Sequence, residues 1–343
     1  MTVKKAILQT LKFLAFLGIG VGLMCLAFKS VDFQKLYEEL KVANYSWLLL
    51  SIFFGLTAYL SRARRWMLLI NPLGYKPTFL NSFNALMAGY LANLALPRIG
   101  EITRCVALGK KEKMPVEQLI GTVIIERAID FISLVIIMII LIFTSSFEIR
   151  TFIKESIINP IEQGITAVFG SALILWIALL AIVVAMLILM IVYRRNLRKI
   201  RFFAKLFTIL QGIINGLTTI TNLERKGEFI FHSVFIWISY LLMTWVVVFS
   251  LDVTSHLTIN DGIFLLVIGG FAMVVPVQGG FGAFHYIISR GLLIIYGIPL
   301  EDGLTYALLT HESQLVLVVI TGIIAFFLIF KKQPQIESQN GKE

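Results

Sequence analysis

The chain has few residues of the kinds that build redox, disulfide or metal sites. Its 343 residues include two cysteines, Cys25 and Cys105, and four histidines. Neither cysteine belongs to a C-x-x-C pair or has a histidine nearby, so the sequence predicts no disulfide framework and no metal site. Walker, dinucleotide-binding, H-E-x-x-H and nucleophile-elbow motifs are also missing. We therefore expect no cofactor, no catalytic motif and no direct coupling to ATP hydrolysis in this chain.

Charged residues are scarce as well, and the sequence lacks a long polar segment. Only 15% of the residues are charged, whereas 58% are hydrophobic and the mean hydropathy is +0.88. A soluble domain is about half apolar, and the longest polar loop here is residues 194–228. The composition predicts an all-α, polytopic membrane helix bundle that forms one integral membrane domain over residues 1–343. We expect a multi-pass protein of the inner, cytoplasmic membrane of the cell.

The positive charge sits at the ends of apolar runs. The net charge of +10 would suit nucleic acid, but its placement indicates a membrane protein and we expect no nucleic-acid partner. Six apolar runs are predicted as full spans, at about 7–28, 46–61, 116–143, 165–193, 229–250 and 304–330.

Charge placement also predicts the topology, because basic ends stay in the cytosol. Basic ends are 62–76, 98–113, 194–228 and 331–332, and ends that are acidic or poor in Lys and Arg are 144–164, 251–262 and 297–303. Residues 79–97 lie between two basic ends, and residues 263–297 lie between two acidic ends. Each should be a re-entrant hairpin, entering from opposite faces, with both termini cytosolic. Eight full spans are the alternative.

The predicted order of elements repeats itself in the two halves of the chain. Residues 1–145 and 160–335 each read span, span, hairpin, span, and the second half starts on the opposite side. Such an inverted repeat is typical of carriers that expose a midplane site alternately to the two faces.

The second hairpin contains a glycine-rich stretch, V-V-P-V-Q-G-G-F-G-A-F-H, at residues 274–285. Its helix-breaking residues are Pro276, Gly279, Gly280 and Gly282. A plain turn between two spans is one interpretation. The other is a broken-helix hairpin whose exposed helix ends bind a charged ligand group.

Polar residues near this break are candidates for binding that group. His285 and Arg290 follow the glycines, and His311 and Glu312 lie about two turns into the last run. His311 is a candidate proton relay or headgroup ligand, or a hydrogen-bonded interior histidine. A metal site would need a third ligand, for which no residue has convincing spacing.

A second set of candidates follows the first hairpin, with the spacing N-x-x-x-P-R-x-G-E-x-x-R. Arg98 and Arg104 are placed to hold an anionic group near the cytosolic headgroup level, since the planar guanidinium suits phosphate. Asn93 belongs to the same motif, and Glu101 could orient one of the arginines. Ordinary cytosolic arginines are the alternative. Arg62, Arg64 and Arg65 resemble this set, but they are expected to snorkel from a span end.

Three charged residues lie within an apolar run. Glu126 is about ten residues into the run 116–143, roughly 15 Å deep at the rise of an α-helix. Asp130 shares its helix face, and Arg127 can pair with Asp130 at i, i+3. Charges at this depth are costly and mark a gate, a pathway or a structural ion pair. The basic amphipathic stretch 194–217 is expected to lie in the cytosolic interface as an anchor.

These motifs together resemble the lysylphosphatidylglycerol synthase transmembrane, or flippase-like, family. The resemblance covers about residues 10–330, and this chain carries the membrane domain without the soluble aminoacyltransferase found in fused members. The matching residues are Asn93, Pro97, Arg98, Gly100, Glu101, Arg104, Glu126, Arg127, Asp130, Pro276, Gly279, Gly280 and Gly282. The family motif often reads P-x-P-G-G-x-G-x-x-E, whereas Gln278 and His285 stand here at the second proline and the acid.

The resemblance implies a lipid translocase. An anionic or polyprenyl-phosphate headgroup would bind Arg98 and Arg104 from the cytosolic side and Gly279–Gly282, His285, Arg290 and His311 from the other, with Glu126, Arg127, Asp130 and Glu312 as gating or coupling groups. The alternatives are an integral membrane lipid-modifying transferase, with Glu126 or His311 as base, and a membrane partner subunit of a separate glycosyltransferase. The expected partners are a phospholipid or polyprenyl-phosphate lipid, with a separate lipid-modifying enzyme as a further candidate.

Overall fold

The computed structural model describes residues 3–29, 31–145, 147–159, 163 and 218–331. The predicted span at 165–193, the amphipathic stretch 194–217 and Lys332 lie outside them. The described helices are α1 (Val3–Phe28), α2 (Phe33–Val42), α3 (Ser46–Ile70), α4 (Phe79–Ala95), α5 (Gly100–Lys111), α6 (Val116–Thr144), α7 (Phe147–Ile153), α8 (Lys226–Trp245), α9 (Ile259–Ala272), α10 (Ala283–Tyr296) and α11 (Leu300–Phe330).

The five predicted spans that lie within the described residues fall on these helices. Within the described residues, four helices are long and apolar enough to cross a membrane: Ser46–Leu73, Val116–Thr144, Lys226–Ser250 and Leu300–Phe330. The pair α1 and α2, bent by 89°, makes a fifth if it counts as one broken span. The structure confirms an all-helical, polytopic membrane protein.

Apolar side chains on the outer faces of these spans agree with a lipid surrounding. On α6, Phe131, Ile132 and Phe143 are all more than half exposed. On α11, Ile320 and Phe327 are too. Large apolar patches of this kind are rare on soluble monomers, whereas lipid tails cover them without cost.

The first hairpin is formed by α4 and α5, which pack side by side. Its open end is closed by Glu112, whose Oε1 accepts hydrogen bonds from Thr78 N at 3.1 Å and from Asn81 Nδ2 at 2.7 Å. At the tip, Asn93 Oδ1 accepts a hydrogen bond of 2.7 Å from Gly100 N. The hairpin therefore runs over residues 79–111, further than the predicted 79–97, because the chain turns at Pro97 and returns as α5.

The second hairpin is formed by α9 and α10. Tyr296 Oη donates a hydrogen bond of 2.8 Å to Asp261 Oδ1, which joins the open ends. At the tip, Gly279, Gly280 and Gly282 have φ angles of 57°, 80° and 80°. Residues with a side chain rarely adopt such φ angles, so the chain can turn here because these positions are glycine. The helix break predicted for this stretch is confirmed.

The tips of the two hairpins touch. Arg98 Nη2 donates a hydrogen bond of 3.0 Å to the backbone carbonyl of Val274. The side chain of Leu94, at the end of α4, lies against Gly279. The backbone of α1 at Gly20 passes directly beside Gly282, where a side chain would meet it. The two helix breaks thus meet each other, and the second one also meets α1.

Contacts between distant loops agree with the predicted grouping of charged ends. Lys35 Nζ lies 3.4 Å from Asp302 Oδ2, and Asn44 N donates to Ser250 O at 2.9 Å. At the other end of the bundle, Lys111 Nζ donates to Lys331 O at 3.0 Å. In each pair, charge placement assigns both partners to the same side. Which end faces the cytosol stays a prediction.

Candidate functional site

A cluster of buried charges lies where α3, α5 and α6 meet, and Glu126 is at its centre. Glu126 Oε1 lies 2.7 Å from Arg62 Nη2 and 2.6 Å from Arg127 Nη2. Glu126 Oε2 lies 3.1 Å from Arg104 Nη1. One carboxylate therefore binds guanidinium groups from three different helices.

Asp130, one turn along α6, is the second carboxylate of the cluster. Its Oδ1 lies 2.6 Å from Arg65 Nη2, and its Oδ2 contacts Arg62 Nη2. Arg127 Nη2 is 3.4 Å from Asp130 Oδ2, which confirms the predicted i, i+3 pair. We call the four arginines Arg62, Arg65, Arg104 and Arg127, with Glu126 and Asp130, the arginine cluster.

Positive charge exceeds negative charge in the arginine cluster. Four guanidinium groups face two carboxylates, which leaves a formal excess of +2. Glu126 and Arg65 are fully buried, and Arg62 and Arg104 are 6% and 2% exposed. An uncompensated charge in such surroundings costs several kcal/mol, so the cluster is suited to accept an anion.

Several donors of the arginine cluster have no partner within the part of the chain that the structure describes. Among the described residues, no hydrogen-bond acceptor serves Arg62 Nε, Arg65 Nε and Nη1, Arg104 Nη2 or Arg127 Nε, all of which are buried. Guanidinium N–H groups in a fixed fork bind the oxygens of phosphate or carboxylate. Within the described residues these donors have no competing acceptor, so their geometry is suited to such oxygens.

Aromatic side chains line the arginine cluster. The Arg104 guanidinium lies 4.8 Å from the ring centre of Trp66, whose Nε1 donates to Thr122 Oγ1 at 2.9 Å. Arg62 Nη1 donates a hydrogen bond of 2.9 Å to Tyr240 Oη. A cation over an aromatic face is stabilised by the ring. These aromatic contacts therefore hold the side chains of Arg104 and Arg62 in place.

The sequence predicted part of the arginine cluster. Arg104, Glu126, Arg127 and Asp130 were separate candidates, and the fold brings them together. Arg62 and Arg65 were expected at a span end, which is wrong, because α3 continues past them to Ile70. The apolar run Trp66–Ile70 directly after the arginines is the signal that places them inside the helix.

A second cluster, the histidine cluster, joins His285, His311 and Glu312 beneath the second hairpin. Glu312 Oε1 lies 3.0 Å from His311 Nδ1 and 3.4 Å from His285 Nε2. His311 Nε2 lies 2.9 Å from the carbonyl oxygen of Gly279. The predicted neighbours His285, His311 and the glycine turn therefore share one site, and Glu312 belongs to it.

Other candidate residues lie apart from both clusters. Arg98 is exposed and bonds Val274, so it does not hold one group together with Arg104, which bonds Glu126. Asn93 caps the turn at Gly100, which is a structural contact. The Arg290 guanidinium lies 5.7 Å from the ring centre of Tyr286 on its own helix. Glu101 is half-buried, and no contact between it and Arg98 is seen in the described chain.

The helical spans and their buried ion clusters define a polytopic membrane protein with a helical-hairpin core. The chain belongs to the lysylphosphatidylglycerol synthase TM region family, which matches residues 13–322. It is also 24% identical to the UPF0104 membrane protein MJ1595 of Methanocaldococcus jannaschii, over 99% of this chain and 98% of that protein. No solved structure matches the chain.

Proposed function

We propose that this protein is a lipid translocase that moves an anionic or lipid-phosphate headgroup across the cytoplasmic membrane. The observation that carries the proposal is the arginine cluster, with a formal excess of +2 and buried donors lacking partners among the described residues. A phosphate headgroup supplies the missing negative charge and the missing acceptors. The acyl or polyprenyl tails stay in the bilayer, so the protein has to shelter only the headgroup.

Burial explains why an anion would bind here in preference to remaining in water. Each charge taken out of water costs several kcal/mol, and a well-paired partner offsets that cost. Glu126 and Asp130 already offset two of the four arginines and hold them in place. A doubly charged phosphate would offset both of the others, and a singly charged phosphodiester would offset one.

The meeting of the two hairpin tips supports a route through the centre of the bundle. Broken helices at membrane depth are tolerated only where protein buries them or water lines them, and in carriers they mark the binding site. Arg98 and the glycine turn lie at this junction. We propose that the two hairpins, as counterparts in an inverted repeat, alternately open the arginine cluster and the histidine cluster to the two faces.

The headgroup would come from a lipid already in the membrane, supplied by a separate lipid-modifying or glycosyltransferase enzyme. The arginine cluster would repel the positive charge of a lysine-bearing headgroup. Such a lipid would bind there only through its phosphate. Anionic phospholipids and polyprenyl phosphates fit this requirement, since both offer phosphate oxygens to guanidinium forks.

One observation favours a second candidate, a membrane-embedded lipid-modifying transferase. His311 Nδ1 and Glu312 Oε1 are 3.0 Å apart, within the distance at which a general base is oriented by a carboxylate. Under that alternative, purified protein would change the mass of its lipid. A translocase leaves the lipid chemically unchanged.

The test is headgroup translocation in proteoliposomes. Fluorescent phosphatidylglycerol and fluorescent polyprenyl phosphate would be followed with a membrane-impermeant quencher, and lipid masses would be measured afterwards. Wild type would be compared with Arg65→Gln and with its neighbour Arg64→Gln, since Arg64 is paired with Glu228 outside the arginine cluster.

We expect wild type and Arg64→Gln to move the lipid, and Arg65→Gln to be at least ~10-fold slower, because losing a buried charge partner costs more than 1.4 kcal/mol. Arg65→Lys keeps the charge but loses the guanidinium fork, and it replaces Arg65→Gln in the test if that variant does not fold. Equal rates in folded Arg64 and Arg65 variants, or no movement by folded wild type, would contradict the proposal.

A further inference from the structure

In the histidine cluster, two atoms that both accept hydrogen bonds face each other at short distance. His311 Nε2 lies 2.9 Å from the carbonyl oxygen of Gly279. A carbonyl oxygen only accepts, so Nε2 carries the proton and donates it. In neutral His311 the other ring nitrogen, Nδ1, is then a bare acceptor. It points at Glu312 Oε1, another acceptor, 3.0 Å away.

Two acceptors at this distance repel each other unless a cation lies between them. A proton on Nδ1 would serve His311 and Glu312, but it would leave His285 unexplained. His285 is fully buried, and within the described chain neither of its ring nitrogens has a hydrogen-bond partner. Its Nε2 nevertheless lies 3.4 Å from Glu312 Oε1. A buried imidazole without a partner is costly.

A metal ion would account for the three atoms that face one another, Nε2 of His285, Nδ1 of His311 and Oε1 of Glu312. One ligand atom from each of His285, His311 and Glu312 lies within 4.8 Å of the others. Metal–ligand bonds of about 2.0–2.2 Å place tetrahedral ligand atoms about 3.3–3.6 Å apart. Of the two separations around Glu312, the 3.4 Å to His285 lies in this range, and the 3.0 Å to His311 lies slightly below it.

The surroundings have the features of a metal site. A metal-binding histidine usually donates its second ring nitrogen to a backbone carbonyl or carboxylate, which fixes the tautomer. Gly279 O does this for His311, and the left-handed turn at Gly279, with φ of 57°, aims the carbonyl. The Glu312 side chain is 37% exposed, so the site is open on one side. That side offers an entry path and a position for a further ligand.

We propose that His285, His311 and Glu312 bind a divalent transition-metal ion of the zinc class. Two imidazoles and one carboxylate are a ligand set that zinc uses at sites that keep an open position. Imidazole ligands also favour this class over magnesium or calcium, which prefer oxygen. His285 comes from α10, whereas His311 and Glu312 come from α11, so the ion would join the second hairpin to the last span. The inference does not rest on lipid translocation.

The test is metal binding by the full chain in detergent, purified with a tag that lacks histidine and stripped with a chelator. Co²⁺ would be titrated while the visible absorption of tetrahedral Co²⁺ is recorded, and Zn²⁺ would then compete it off. The variants are His285→Gln, His311→Gln and Glu312→Gln. His256→Gln is the matched control, because His256 is an exposed histidine in a loop elsewhere.

We expect wild type and His256→Gln to bind one equivalent of Co²⁺ with the tetrahedral spectrum. Each of the three cluster variants should bind at least ~10-fold more weakly, since even losing a hydrogen-bond partner of a metal-binding side chain costs ~10–100-fold. Size-exclusion and thermal unfolding profiles show whether each variant is folded. No binding by folded wild type at micromolar Co²⁺ would overturn the proposal in favour of a proton shared by His311 and Glu312. Equal affinity in wild type and folded His285→Gln would also overturn it.

Discussion

Arg98 and Val274, 176 residues apart in the chain, join the two hairpins tip to tip through one hydrogen bond of 3.0 Å. Arg98 makes this bond from a backbone with φ of 62°, an angle that non-glycine residues rarely adopt. A strained residue that bridges two helix breaks is well placed to respond when the breaks move apart.

Two substitutions of Arg98 separate the effect of its backbone strain from the effect of its hydrogen bond. Arg98→Ala loses the bond to Val274 and keeps the unfavourable φ, whereas Arg98→Gly loses the bond but relieves the strain. We expect the glycine variant to be more stable than the alanine variant by about 1 kcal/mol. Thermal unfolding in detergent measures the order, and an alanine variant equal to or better than glycine would contradict the strain.

Glu126 should be among the most sensitive carboxylates of the chain. Glu126→Gln leaves the buried guanidinium groups of Arg62 and Arg104, and the partly exposed one of Arg127, without their central partner. Breaking a buried ion pair from one side costs ~3–5 kcal/mol. Glu228→Gln is the control, because Glu228 pairs with Arg64 at a more exposed site and should cost within about 1 kcal/mol.

The melting temperatures of Glu126→Gln and Glu228→Gln would be measured together with that of wild type. Added phosphatidylglycerol should stabilise Glu126→Gln more than wild type, since its uncompensated positive charge is larger. Equal melting temperatures for the two variants would show that the arginine cluster is well solvated and carries no such cost.

The glycine turn of the second hairpin predicts a steric effect at Gly282. A methyl group there would meet the Gly20 carbonyl and lie 2.8 Å from Met24 N, so Gly282→Ala has to push α1 away. Gly297 also has a positive φ, 63°, but it lies in the left-handed helical region and has open space around it, whereas Gly282 lies outside that region at φ 80° and ψ −51°. Gly297→Ala should lower the free energy of unfolding by about 1–2 kcal/mol through its φ angle alone. Gly282→Ala should lower it by more than that. Chemical or thermal unfolding distinguishes the two, and equal costs would mean that α1 does not pack there.

The sidedness of the bundle can be tested with single cysteines. In a Cys25→Ser background, Ser255→Cys and Lys76→Cys place exposed thiols at opposite ends of the molecule, and Cys105 stays buried. The positive-inside rule puts Lys76 in the cytosol and Ser255 outside. A membrane-impermeant maleimide added to intact cells should label only the Ser255 variant. Labelling of Lys76→Cys instead would reverse the topology.

Much of the fold follows from hydropathy and charge. Apolar length predicts the helices, and pairs of like ends predict both hairpins, because chain segments that start and finish on one side have to turn back. The first hairpin was predicted too short. Residues 98–113 read as a basic loop, whereas Arg104 is neutralised by Glu126 and lies buried on α5.

The sites were harder to predict, because tertiary contacts decide which charges meet. Glu126 and Asp130 were visible as costly charges in an apolar run, but nothing in their spacing identifies Arg62 or Arg65 as partners from another helix. His285 and Glu312 likewise lie 27 positions apart and meet only because α10 packs against α11. Spacing within one helix reveals local pairs, and a site assembled from several helices needs the fold.

The most direct test of the central claim is whether the arginine cluster binds an anionic headgroup. Native mass spectrometry would compare phosphatidylglycerol with phosphatidylcholine on wild type, Arg64→Gln and Arg65→Gln, with Arg104→Lys as a variant that keeps the charge. We predict a preference for phosphatidylglycerol in wild type and Arg64→Gln that falls at least ~10-fold in Arg65→Gln and only partly in Arg104→Lys. An equal preference in folded Arg64→Gln and Arg65→Gln, or none in wild type, would contradict the account.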